Sequence, residues 1–206
     1  YLLPVLDLLS SWEKPFGINS NGLALTPQLT NKLRPFFEIL TITFSVSAAT
    51  PETYAKIRGP HFMQVIENIA YYSERKRKAF PEGTASKTGM VMLPMKANRR
   101  EVSGFIQLAA WLGMDVVELR QLHDYGAEWK VDKGGFLFDY QEQILPPQEL
   151  EVIRQEAEKA AAACGIILDC QYQVSEERTY EAFVPEDKLE GRIKCFQPWH
   201  FILPYQ

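Results

Sequence analysis

The stretch Thr41-Ile42-Thr43-Phe44-Ser45-Val46-Ser47 alternates apolar and hydroxylic side chains with a period of two. That is the period of a β-strand, with Ile42, Phe44 and Val46 on one face and Thr41, Thr43, Ser45 and Ser47 on the other. Parallel strands enclosed by helices on both sides are apolar throughout. A small hydroxylic face therefore predicts one side packed on helices and the other lining a wet cavity. An edge strand with one solvated face is the alternative reading. Ligands of such folds collect at the C-terminal strand ends, where Ser45 and Ser47 stand.

A second strand pattern, 116–122, puts Glu118 and Arg120 on one face and Val117 and Leu119 on the other. The pair reads as a mutually satisfied ion pair or as a contact for a zwitterionic ligand, and together with the first strand it favours a polar lumen. Further strands are predicted over 16–19, 90–95 and 166–172, and the first strand extends to 39–46. Helical spacing occupies 2–12, 27–35, a segment from Pro60 to the basic run Arg75–Lys78, a segment ending at Gly113, and an Ala- and Glu-rich segment from Pro147 to Gly165. Thr26-Pro27 reads as an N-cap followed by proline at the first helical position. Asn98 with Glu101 resembles a capping box, with Asn in place of Ser or Thr. Residues 124–146 read as a long polar and aromatic connection. Alternating helices and strands predict parallel pairing through right-handed crossovers. Five strands fit an open doubly wound sheet or part of a barrel. Neither G-x-G-x-x-G nor a phosphate-binding P-loop occurs, and the polar face of 41–47 favours the barrel. The expected fold is therefore α/β, a partial (β/α) TIM-type barrel incomplete at its N-terminal side.

The 206 residues are 46% hydrophobic and 23% charged, which excludes disordered, collagen-like and coiled-coil classes. A net charge of −4 argues against a general nucleic-acid binder. No apolar run reaches the ~18 residues of a membrane span. Cys164, Cys170 and Cys195 are odd in number and scattered, as suits a reducing compartment, and a cytoplasmic location is expected. His61, His123 and His200 share no ligand spacing, and His123-Asp124 reads as an acid–base pair lacking a nearby nucleophile. The basic run reads as positive charge set against a helix macrodipole. Both ends of the chain, opening at Tyr1 within an apolar pattern and closing on one, read as cuts within a longer protein.

Phe44-Ser45-Val46-Ser47-Ala48-Ala49-Thr50-Pro51-Glu52-Thr53-Tyr54, followed by Lys56-Ile57-Arg58-Gly59, Phe62, Val65 and Asn68-Ile69, closely resembles the fourth-strand region of radical S-adenosylmethionine enzymes. Ile18-Asn19-Ser20-Asn21-Gly22 is similar to that family's third-strand TNG turn, with Ser for Thr. Asn98, Glu101, Leu108-Ala109 and Leu112-Gly113-Met114-Asp115 resemble its fifth-to-sixth-strand unit. Cys195-Phe196-Gln197-Pro198-Trp199 resembles the CxxPW opening of the SPASM extension, which carries auxiliary iron–sulfur clusters. The resemblance divides the chain into barrel (1–172) and the start of an extension (173–206).

It implies S-adenosylmethionine bound across the C-terminal strand ends, beside a 4Fe-4S cluster that generates a 5′-deoxyadenosyl radical. Soft thiolates hold such a cluster. The family supplies them as CxxxCxxC, which this sequence lacks, so the cluster loop is expected upstream of Tyr1 and the isolated chain is expected to be inactive. Ser45 matches the ribose-motif serine, which contacts the sugar or the carboxylate of the ligand. Ser47 stands where many members carry Asp. Ser20 and Asn21 are implied at the mouth, with Asn98, Gln121 and His123 at the ends of later strands near the adenine, and Cys195 as an auxiliary-cluster ligand. The implied substrate is a peptide, a protein or a small molecule. The unpaired edge of the strand at 16–19 in an incomplete barrel predicts self-association or a missing companion segment. A non-catalytic barrel serving as a binding or scaffold module is the alternative from another class.

Overall fold

The computed structural model describes residues 2–12, 15–122, 130–132 and 137–171. Its helices are α1 (Leu2–Ser10), α2 (Pro27–Leu33), α3 (Pro51–Ile57), α4 (Phe62–Ala79), α5 (Val102–Trp111) and α6 (Pro147–Cys164). The strands are β1 (Phe16–Ser20), β2 (Leu40–Ser45), β3 (Thr88–Met92), β4 (Val116–Arg120), β5 (Lys130–Asp132), β6 (Leu137–Asp139) and β7 (Ile167–Gln171).

Two threonine–proline pairs start helices in the same way. The Thr26 hydroxyl accepts from Leu29 N at 3.3 Å to open α2, and the Thr50 hydroxyl accepts from Thr53 N at 3.3 Å to open α3. Each satisfies a backbone donor that the first turn leaves orphaned. Gly113 and Gly165, at φ 73° and 65°, take the left-handed conformation that ends α5 and α6.

β1, β2, β3, β4 and β7 form one parallel sheet in that order. The order never reverses, so the doubly wound arrangement with its topological switch point is ruled out. The sheet is open, with β1 and β7 at its edges. Register aligns Ile42 with Thr88, Phe44 with Met90 and Val117, and Met92 with Leu119 along one face. That face carries the core, in which Phe44, Met90 and Val117 pack with Ile69 and Tyr72 of α4 and Phe105 and Ile106 of α5. Tyr72 meets both Phe37 and Phe44 edge-on, with ring centroids 5.2 and 5.9 Å apart. Thr41, Thr43, Ser45, Gly89, Glu118 and Arg120 form the opposite, inner face.

Several expectations need correction. The segment 124–146 contains an antiparallel hairpin, β5 with β6, rather than connection alone. The third strand begins at Thr88, two residues early, and ends at Met92. Asn98 and Glu101 do not form a capping box, since no side-chain cap is made at Asn98. His123, Cys195 and the expected extension over 173–206 lie outside the described residues.

Within the basic run, Lys76 departs from its neighbours. Only 5% exposed, it donates from Nζ to Leu40 O (3.5 Å), Ser86 O (3.1 Å) and Thr88 Oγ1 (3.3 Å), tying α4 to the starts of β2 and β3. Burial, partly opposed by the Asp115 carboxylate, lowers its pKa to about 8. Between that value and the ordinary lysine range the unfolded chain binds more protons than the folded one, so stability rises with pH through the interval. Urea unfolding at pH 7.5 and at pH 10 is expected to show a gain on the order of 1–3 kcal/mol that Lys76→Met lacks. Equal pH slopes in the two proteins would refute the assignment.

Candidate functional site

The C-terminal ends of the parallel strands are shaped by short polar side chains that bond to backbone. At the end of β1, Ser20 Oγ accepts from Gly22 N at 3.1 Å and Asn21 Oδ1 from Leu23 N at 3.0 Å. Such local bonds are why Ser and Asn favour turns. Gly22 turns at φ 77°, and an added Cβ would lie 3.2 Å from Val65 Cγ1. Asn68 of α4, buried, donates to the Gly22 and Leu23 carbonyls at 3.0 Å each and fixes the turn on the helix layer.

Past β2 the chain bends sharply at Ser47, a non-glycine residue at φ 59°. Asn98 holds that bend. Its Nδ2 donates to Ser47 O at 2.8 Å and Leu93 O at 2.9 Å, while its Oδ1 accepts from Met95 N at 2.7 Å. Ser47 Oγ accepts from Leu93 N at 3.4 Å, and Ser47 and Asn98 are both fully buried. Of the residues expected to face a ligand, these two lie beneath the strand tips and support them. Ser20, Asn21, Ser45 and Gln121 are half-buried.

Two carboxylates organise the surroundings. Glu101 accepts from Ala49 N (2.8 Å), Thr50 Oγ1 (2.6 Å) and Thr53 Oγ1 (2.6 Å), joining the start of α5 to the start of α3. On the inner face Glu118 accepts from Thr43 Oγ1 at 3.1 Å and pairs with Arg120, whose Nε lies 2.8 Å away and whose Nη2 meets the same oxygen. Thr43 and Glu118 are 6% and 8% exposed, so the buried charge is compensated as burial requires. Thr43, in the middle of the hydroxylic face of β2, is buried beside Glu118, while Thr41 and Ser45 on the same face are half-buried.

In the sequence Arg58 stands out only as part of a motif. It follows α3 and donates from Nη2 to Ser45 Oγ at 2.6 Å. The signals available in the sequence are the second threonine–proline helix start at Thr50-Pro51 and Gly59, at φ 112°, directly after Arg58. Beyond the ends of β3 and β4 a separate apolar cluster gathers Ile57, Met95, Leu122 and Phe138. Gln143 fastens the segment after the hairpin there, its side chain accepting from Ala97 N at 3.0 Å and its carbonyl from Lys96 N at 3.1 Å. The tips are thus polar at β1 and β2, while the segments that follow β3 and β4 bring in the apolar cluster beside the Glu118–Arg120 pair.

Among the described residues no three His, Cys, Asp or Glu side chains gather closely enough to hold a metal ion. Cys164 at the end of α6 and Cys170 in β7 pack against the core, so these two residues do not offer the thiolate set of an iron–sulfur cluster.

The chain is similar to two crystal structures of Streptococcus suis SuiB. One matches with a TM-score of 0.62, and the other, of SuiB bound to S-adenosylmethionine, with 0.59. Each is 9% identical and covers 83% of this chain. The likeness is one of fold. This chain spans about a third of SuiB, 35% and 34% of the two chains. No protein-family profile matches the sequence. No curated protein matches it either. Among the described residues no helix is long and apolar enough to cross a membrane.

Asn98→Ala would leave three backbone groups unsatisfied in the interior. It is expected to cost roughly 2–4 kcal/mol in urea unfolding. A loss below about 0.5 kcal/mol, the range of ordinary surface substitutions, would show that the bend at Ser47 does not depend on Asn98.

Proposed function

We propose that this chain is part of a radical S-adenosylmethionine enzyme and holds S-adenosylmethionine at the C-terminal ends of its parallel strands, within a partial (β/α) barrel. The observation that carries this reading is the polar tip of β2, where Ser45 and Arg58 meet at the edge of an inner face bearing Thr43, Glu118 and Arg120. A polar region beside the apolar cluster of Ile57, Met95, Leu122 and Phe138 suits a ligand with a charged amino-acid end and a flat, largely apolar base. The fold likeness to a protein crystallised with S-adenosylmethionine supports the same ligand. So does the resemblance of residues 44–69 to the family's fourth-strand region.

In this reading Ser45 contacts the ligand directly, Ser20 and Asn21 border it, and Gln121 and His123 lie on the adenine side. Ser47 and Asn98 set the backbone that the ligand meets. A 4Fe-4S cluster would supply the electron that cleaves the ligand. The described residues do not provide its thiolates, and what they offer is binding and orientation. Cys195 would serve an auxiliary cluster in a SPASM-like extension, and the substrate would be a peptide, a protein or a small molecule.

Equilibrium dialysis of the 206-residue chain with labelled S-adenosylmethionine is expected to show saturable one-to-one binding. After iron–sulfur reconstitution and reduction the same chain is expected to form no 5′-deoxyadenosine. Absence of saturable binding would remove the proposal, and deoxyadenosine formation would show that the chain carries a cluster of its own.

A further inference from the structure

The C-terminal end of α4 faces the turn that follows α2 across a small cleft of about 90 Å³. Three cations line it, Arg34 from the turn and Arg75 and Lys78 from α4, and no acidic side chain does. The chain as a whole carries the opposite sign, −4. Lys78 pairs at 2.5 Å with Glu74, one turn earlier on the helix. Arg34 and Arg75 make no ion pair among the described residues. With Glu74 counted, two positive charges remain unmatched. Like charges held together repel, so folding alone gives no reason for the arrangement. A helix macrodipole favours a cation in each last turn, but it does not require these three to share one cleft.

Tyr71 orders two of the walls. Its hydroxyl donates to Asn31 Oδ1 at 3.4 Å, which leaves the Asn31 Nδ2 amide as a donor lining the cleft. Its ring lies under the Arg75 guanidinium, whose Cζ is 5.7 Å from the ring centroid. A guanidinium held over an aromatic face keeps its N–H donors for other partners. Phe37 closes the base as a fixed apolar surface, 1% exposed and edge-on to Tyr72.

We propose that this cleft binds a dianionic phosphate group, free or as the monoester end of a small molecule. Such a group brings the two negative charges that the cleft leaves unmatched, and acceptor oxygens for the guanidinium and amide donors around it. A carboxylate brings half the charge and only two oxygens, so one cation would stay without a partner. The site stands at the end of the sheet opposite the strand tips. Lys76, next to Arg75 on α4, bonds to Leu40 and Thr88, the first residues of β2 and β3. It is therefore separate from the site of the proposed function, and either can fail without the other.

Isothermal titration calorimetry on the 206-residue chain tests the proposal with inorganic phosphate, glycerol 3-phosphate and acetate. The variants are Arg34→Gln, Arg75→Gln and, as a control, Arg100→Gln, an exposed arginine outside the cleft. The parent should bind one phosphate ligand per chain, roughly 10-fold or more tighter than acetate. Arg34→Gln and Arg75→Gln should each weaken that binding by roughly 10-fold, and Arg100→Gln should bind as the parent does. Tighter binding of glycerol 3-phosphate would identify an esterified group, tighter binding of inorganic phosphate the free ion, and both uphold the site. Without ligand, Arg34→Gln should melt no lower than the parent, since it breaks no ion pair. A lower melting temperature would make Arg34 a structural residue and overturn its assignment. Equal weakening by Arg100→Gln would reveal diffuse attraction to surface charge and overturn the proposal. So would acetate binding as tightly as phosphate, or no saturable binding of either phosphate ligand.

Discussion

The bend that follows β2 depends on one buried amide. Asn98 reaches across the β3–α5 loop to the carbonyls of Ser47 and Leu93 and to the amide of Met95, satisfying three backbone groups at once. Ser47, at φ 59°, adopts a conformation that costs an L-residue about 1–2 kcal/mol, and those bonds oppose the cost. The direction in which the chain leaves the sheet follows from this, and with it the place where α3 begins.

From that start the geometry propagates. Glu101 receives the first turn of α3, the helix runs through only seven residues, and Arg58 emerges at its end onto Ser45. The inner face of the sheet is organised separately, around Glu118, which joins β2 to β4 through Thr43 and Arg120. The helix side needs no such devices, because Phe44, Met90, Val117 and their neighbours simply remove apolar surface from water. The two faces thus solve different problems, packing on one and charge compensation on the other.

The sequence made much of this readable. The alternation at 41–47 separated the faces of β2 as they occur, and Thr26-Pro27, Gly113 and Gly165 marked helix ends where they fall. The reading failed where partners are distant. Asn98 and Glu101 have the spacing of a local cap, yet Glu101 bonds to residues 48 to 52 positions away, and spacing alone cannot distinguish the two. Ser47 looked like one more strand residue because a left-handed φ leaves no mark on a period-two pattern. The hairpin escaped because strands of three residues are too short to show alternation. Lys76 was hidden among three exposed cations, since its burial is set by where α4 crosses the starts of β2 and β3.

The short helix between Thr50 and Ile57 is anchored at both ends by residues outside it. Its first turn is tied to the loop that opens α5, and its last residue is followed by an arginine resting on β2. Such a strut transmits displacement. The position of the guanidinium beside the Ser45 hydroxyl is thereby set from α5 as well as from β2. Trp111, 73% exposed, ends the same α5 whose opening loop holds that strut.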